Sequence, residues 1–266
     1  MERNLKKRKM ERVKDSFVWK DYTWASQMEN GRRFNLKHPW QWYSDGEVML
    51  CEDDCLSLSL KRKEGEISHY GITYRPAIAC GTVMSIDRFG HGVFEAELSL
   101  PRGTNLWPSF WLVGDERWPF AGEIDVCEAY SNSNSDGYFK MFTKNFPFIN
   151  PSWRTTTNVH YSKNRLLNEY MIGEKNVSVF KQFRDPSENF VKYKCVWDKD
   201  LIEIYAGNRL VRRDTESAKR IQEYWDFVEK EPKTRVVFNI WCKNPSLCNV
   251  YMKTPMMIND FHFEAF

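Results

Sequence analysis

No stretch of this chain approaches the ~18–20 consecutive apolar residues that cross a bilayer as a helix, so a helical membrane span and a membrane partner are not expected. The N-terminus lacks the ~7–15-residue apolar core of a secretory signal. An intracellular protein, a mature form whose signal was removed, and export by another route all fit. There is no CxxC pair. The seven cysteines (Cys51, Cys55, Cys80, Cys127, Cys195, Cys242, Cys248) are odd in number and dispersed, which argues against a zinc site or a disulfide framework. Reduced, buried thiols are expected, and they favour a reducing compartment. Internal repeats, low-complexity linkers and a sustained basic stripe are also missing, so no nucleic-acid partner is expected. The basic excess is local. MERNLKKRKMERVK carries seven Lys/Arg against two Glu within a net charge of +3, and residues 1–15 read as a solvated basic tail. Asn176, in NVS, is a glycosylation acceptor only if a eukaryotic cell secretes the chain.

What is present is a globular composition. Of 266 residues, 42% are hydrophobic and 28% charged, enough for a substantial core in one large domain, here 16–266. Aromatics reach 15%, with eleven Trp and twelve Tyr, more than a core requires and well suited to stacking on sugar rings or bases.

After a Trp-rich, irregular region (19–43), short alternating runs follow one another. VMLCEDDCLSLSLKRK (48–63) reads as two strands around an acidic turn. VFEAELSLP (93–101) alternates until Pro101, and SFWLVG (109–114) is a buried strand that GEIDVCEAY follows. YKCVWDKDLIEIYAGNRLV (193–211) reads as three strands with turns at 198–200 and 207–208. RVVFNIWC (235–242) and MMINDFHFEAF (256–266) complete the set. One helix is predicted from an N-cap at Thr215, with Ile221, Tyr224, Trp225 and Val228 on one face and Pro232 ending it. Many short strands and one helix point to a single all-β sandwich.

WPFAGEIDVCEAY (118–130) poses the chemical question. In a regular strand Glu123 and Asp125 share a face and Glu128 points away. Acids this close repel each other and cost stability when desolvated. A solvent-facing strand would make them ordinary surface charges, and a metal cluster is another reading. The apolar flanks favour a largely buried strand whose acidic face lines a cleft. One extra residue near Val126–Cys127, a β-bulge, would return Glu128 to the face of Glu123 and Asp125. Retaining glycosidases need two carboxyls ~5–5.5 Å apart and inverting ones ~6.5–9.5 Å, and two glutamates on one curved strand suit the former.

GEIDVCE resembles the bulged E-x-D-x-x-E signature of glycoside hydrolase family 16, found in laminarinases, agarases, porphyranases and carrageenases. GHGVFEAELSLPRGTNLWPSFWLVG, WPFAGEID, NVHY, the 193–211 hairpin and INDFHF resemble further segments of that family, over roughly 80–266. The resemblance implies a β-jelly-roll sandwich of two bent antiparallel sheets with a concave substrate cleft. It implies Glu123 as nucleophile, Glu128 as general acid/base with its pKa raised by repulsion, and Asp125 bonded to the nucleophile. Trp107, Trp111 and Trp118 would line subsites beside the nucleophile, His160 the leaving-group side, and Asn239 and Trp241 the cleft. Asp260 would help hold a structural Ca²⁺ on the convex face, with no cofactor needed for catalysis. The implied activity is retaining endo-hydrolysis of a β-linked polysaccharide, first a laminarin-type β-1,3-glucan, by a monomer. Alternatives are a galactan hydrolase (agar, porphyran, carrageenan), a transglycosylase, or, in another class, a non-catalytic carbohydrate-binding jelly roll. Val93 and Glu97 replace the family's usual basic residues, 75–85 lacks an arginine common in laminarinases, and NIWCKNPS lacks the usual glycine-rich loop. These departures bear on substrate and leave the chemistry intact.

Overall fold

The computed structural model describes residues 10–12, 16–28, 40–43, 47–51, 53–69, 71–116, 118–130, 153–162, 178–182, 185–242 and 251–266. Asn176 and Cys248 lie outside these residues.

Two eight-stranded sheets, antiparallel throughout, form the body. The first runs Met10–Arg12, Val48–Cys51, Leu56–Leu58, Met256–Ala265, Gly92–Ser99, Val191–Asp198, Leu201–Ala206, Arg209–Asp214. The second runs Ser178–Gln182, Trp153–His160, Glu123–Glu128, Leu106–Gly114, Thr234–Cys242, Thr82–Ser85, Tyr22–Ala25, Ser16–Trp19. Strict alternation explains the pairing. Along Gly92–Ser99, buried and half-buried residues alternate without a break, so one edge of the strand's pleat feeds the core and the other meets solvent. The core lies between the sheets. Phe261 of the first meets Trp24 and Phe238 of the second at ring separations of 5.3 and 6.1 Å. Phe110 stacks on Phe238 across neighbouring strands at 4.9 Å. Each such fully buried ring stabilises the sandwich by about 1.5–3 kcal/mol.

Three expectations are corrected. Met10–Arg12, in the segment read as a tail, is a strand added to the edge of the first sheet against Met49–Cys51; an open edge offers backbone donors and acceptors whatever the charge of the added side chains. The Trp-rich region supplies strands Ser16–Trp19, Tyr22–Ala25 and Gln41–Tyr43. The last of these pairs in parallel with Ile78–Cys80, within a small three-stranded sheet, so the pairing is not antiparallel everywhere. The run at 56–63 is broken at Ser59, and its halves serve different sheets.

Among the described residues there is one helix, Glu216–Phe227. Thr215 is itself helical and makes no side-chain cap. Asp214 performs that role, accepting from the Ser217 N–H at 2.9 Å and the Ser217 hydroxyl at 2.8 Å. The stronger acceptor wins because Arg212 already fixes it, 2.6 Å away. The helix stops at Val228, with Glu229 in the left-handed region (φ 54°), ahead of Pro232. Arg212 also donates to the Thr157 carbonyl at 3.3 Å, linking the far edge of the first sheet to a strand of the second. The helix's Ile221 packs on the turn Ala121–Gly122 that leads into the Glu123 strand.

Candidate active site

The Glu123–Glu128 strand lies between Leu106–Gly114 and Trp153–His160. Val113 pairs with Glu123, Trp111 with Asp125, Phe110 with Cys127 and Ser109 with Glu128, which leaves Val126 as the extra residue. On the other side Asp125 faces Asn158 and Glu128 faces Thr156, the same one-residue slip. This is the expected bulge. Val126 and Cys127 both turn to the interior, fully buried, and Cys127 bonds Tyr193 of the opposite sheet. Glu128 thereby rejoins Glu123 and Asp125 on the outer face. On the partner strand the two glutamates are four residues apart, about 13 Å of strand, a span that two long side chains leaning inward can close over the shorter Asp125.

Each glutamate is gripped by an indole. Trp118 Nε1 donates to Glu123 Oε2 at 2.8 Å, and Trp107 Nε1 donates to Glu128 Oε1 at 3.0 Å. The Tyr130 hydroxyl reaches the same Glu128 oxygen at 3.3 Å. His160 Nε2 stands 3.3 Å from Glu123 Oε1 and 3.3 Å from Asp125 Oδ2. The Asn158 amide nitrogen lies 3.0 Å from that Nε2.

Burial is the main force on the Glu123 carboxyl and pushes its pKa up to about 8. The Asp125 charge adds to the push, His160 opposes it, and Glu128 contributes a further upward push. The sequence suggested the raised carboxyl would be Glu128; the environment puts a strong upward push on Glu123. Carboxyls this close titrate as a unit, and the cluster retains a proton near neutrality.

The other candidates fall in a graded pattern. Trp118 is held at Glu123 and Trp107 at Glu128. His160 meets Glu123 and Asp125, on the side away from Glu128. Trp111 and Asn239 are both buried and bond each other across adjacent strands, Trp111 Nε1 donating to Asn239 Oδ1 at 2.7 Å. Trp241 packs edge-on against Trp107 at 5.3 Å and stacks on Tyr43 at 5.6 Å. Together these rings extend the apolar surface away from Glu128. Asp260 is exposed on Met256–Ala265, opposite Glu97. Among the described residues no group of three acidic, histidine or cysteine side chains gathers around it. The sequence reading missed Asn158 and Tyr130. Both were findable as the residues two before His160 and two after Glu128, on the same faces.

A glucan endo-1,3-beta-glucosidase of Cryptopygus antarcticus is 45% identical over 42 residues, 14% of this chain and 16% of that protein. A beta-1,3-glucan-binding protein of Penaeus monodon is 25% identical over 157 residues, 56% of this chain and 37% of that one. The matched stretches span between 7% and 37% of the curated relatives' lengths. The catalytic domain of an endo-1,3-beta-glucanase (laminarinase) from Thermotoga petrophila has the same fold, with a TM-score of 0.60 at 16% identity over 95% of this chain and 94% of that one. The model of the glycosyl hydrolases family 16 matches residues 36–250, and with the bulged acidic strand at its centre, the chain belongs to that family.

Proposed function

We propose that this protein is a retaining endo-glycosidase that cleaves internal β-1,3 bonds of a laminarin-type glucan. The observation that carries the reading is the bulge at Val126–Cys127, which brings Glu123 and Glu128 to one face with Asp125 between them. Glu123 attacks the anomeric carbon. Glu128, holding the cluster's proton, delivers it to the departing oxygen, leaving a glycosyl-enzyme on Glu123. Glu128, now ionised, takes a proton from the water that releases the sugar. His160 and the Trp118 N–H favour the Glu123 anion against its burial, and the reading requires Glu123 ionised and Glu128 protonated once the sugar is bound. The β-1,3-glucan assignment draws on the Cryptopygus and Thermotoga relatives.

The test is reducing-sugar release from a panel of laminarin, mixed-linkage glucan, agar and carrageenan, with Glu123→Gln alongside. Laminarin cleavage abolished by that substitution supports the reading. Cleavage that survives it removes Glu123 from the nucleophile's role. The Penaeus relative, named for binding glucan, favours one second reading, a carbohydrate-binding jelly roll. Laminarin retention on an affinity gel with no release from any polymer would select it.

A further inference from the structure

The atoms that surround His160 Nε2 have the spacing of metal ligands. Donor atoms of Glu123, Asp125 and His160 lie within 4.8 Å of one another. The two distances from Nε2, to Glu123 Oε1 and Asp125 Oδ2, are both 3.3 Å. Ligands bound at 2.0–2.1 Å to a tetrahedral ion stand about 3.3–3.4 Å apart, so two edges of that polyhedron exist before any ion arrives. A second observation points the same way. Asn158 is 2% exposed, and its amide lies 3.0 Å from the same Nε2; with the amide nitrogen towards the ring, Oδ1 is left without a partner among the described residues. An imidazole N–H facing two carboxylates cannot also accept from an amide N–H. The amide therefore settles with Oδ1 towards Nε2, which adds an oxygen donor to the cluster.

We propose that Glu123, Asp125 and His160, with Asn158 Oδ1 beside them, bind a divalent transition cation of the Zn²⁺ or Co²⁺ type, and that the bound ion blocks the enzyme reversibly. One imidazole with two carboxylates suits these ions, whereas Ca²⁺ and Mg²⁺ take oxygen shells. Trp118 occupies Glu123 Oε2, so the ion takes Oε1 and commits the carboxylate that would attack the sugar. Among the described residues His160 Nδ1 is buried without a partner, where a resident zinc histidine donates to a carboxylate or carbonyl. The ion is accordingly an exchangeable inhibitor. The blocking step rests on the catalytic reading above; the binding step does not.

The experiment titrates the EDTA-treated full chain with Co²⁺ and follows the visible bands of the bound ion, with Zn²⁺ as competitor. Wild type and Glu128→Gln bind one Co²⁺ that Zn²⁺ displaces. His160→Ala and the gentler His160→Gln, each checked for native circular dichroism, bind at least tenfold more weakly. No bound Co²⁺ in wild type, wild-type affinity in both His160 variants, or a thiolate-to-cobalt band placing the ion on cysteine would overturn the site. In parallel, Zn²⁺ suppresses sugar release and EDTA restores it. Cobalt binding without activity on any polymer keeps the ion site and removes the catalytic reading. Activity without cobalt binding does the reverse.

Discussion

The Trp118 indole donates a 2.8 Å hydrogen bond to Glu123 Oε2, five residues along the chain. Trp107 does the same for Glu128 from the neighbouring strand. Each of the two carboxylates is thus held by an indole N–H that comes from outside its own strand.

Trp118→Phe keeps the ring and removes the donor. A hydrogen bond to a charged group contributes about 1.5–3 kcal/mol, so kcat/KM is expected to fall ~10–100-fold. The acidic limb of the pH profile moves upward, because the Glu123 anion has lost a partner. Trp118→Leu, which removes the stacking face too, raises KM as well. Steady-state kinetics on laminarin across pH, with chelator present, separate the two. An unchanged limb in Trp118→Phe would show that the bond does not act on the ionised nucleophile.

Asp125→Asn removes the negative charge that is second to burial in raising Glu123. The Glu123 pKa then falls, and the acidic limb moves to lower pH. The rate falls at its optimum, because the contact of the Asp125 carboxylate with His160 is lost. Both changes are read from one kcat/KM profile recorded in chelator.

Glu123 makes the folded state sensitive to alkali. Its carboxyl is raised from 4.5 to about 8, so the unfolded chain releases the proton first. Stability is full below the ordinary carboxyl value and is lost as pH rises through about 8. Glu123→Gln is expected to flatten that decline and to gain on the order of 1–3 kcal/mol at neutral pH, which corresponds to ~2–4 °C of Tm per kcal/mol in a large domain. Thermal melts of both proteins between pH 4 and 9 test it. Parallel curves would show that the burial of Glu123 imposes no such cost.

Glu128→Ala is expected to lose activity on laminarin, whose leaving oxygen needs a proton. Turnover should persist on aryl glycosides with activated leaving groups, whose departure does not need one. Azide, as an external nucleophile, should speed release of the intermediate. If the variant were as inert as Glu123→Ala on the aryl substrate, the two roles would have to be exchanged or withdrawn.

Gly122→Ala tests how firmly the turn sets the nucleophile. Gly122 has φ +87°, and an added Cβ would lie 2.8 Å from Ile221 Cδ1 and 2.9 Å from Cγ1 and Cγ2. Left-handed strain costs about 1–2 kcal/mol, and the clash with the helix adds about 1–3 kcal/mol. Ile221→Ala in the same chain relieves only the clash. Urea titrations of the single and double variants should show partial recovery, with kcat following stability because Glu123 is the next residue.

The strands, the single helix and the three acids were legible because each has a local cause. Alternation at period two marks a half-buried strand, as along Gly92–Ser99, and an acid every second residue on an apolar strand marks a cleft. The bulge was also inferable, since only an inserted residue reconciles Glu128 with Glu123. The helix begins after Thr215 as read, but the capping oxygen comes from Asp214, which Arg212 holds two residues back on the same strand. Met10–Arg12 looked like a tail because an edge strand owes its existence to the edge it joins and little to its own side chains.

The sequence by itself determined the all-β class, the family and the identities of Glu123, Asp125 and Glu128, since period-two patterning and a three-acid spacing are properties of neighbouring residues. Only the tertiary structure decided which atoms meet. His160 joins Glu123 and Asp125 and stands away from Glu128, Trp107 serves Glu128, and Asn239 bonds Trp111 from 128 residues away. Those contacts depend on strand register across two sheets. Register is fixed by the packing of the whole core, a sum over distant side chains that no local stretch of sequence contains.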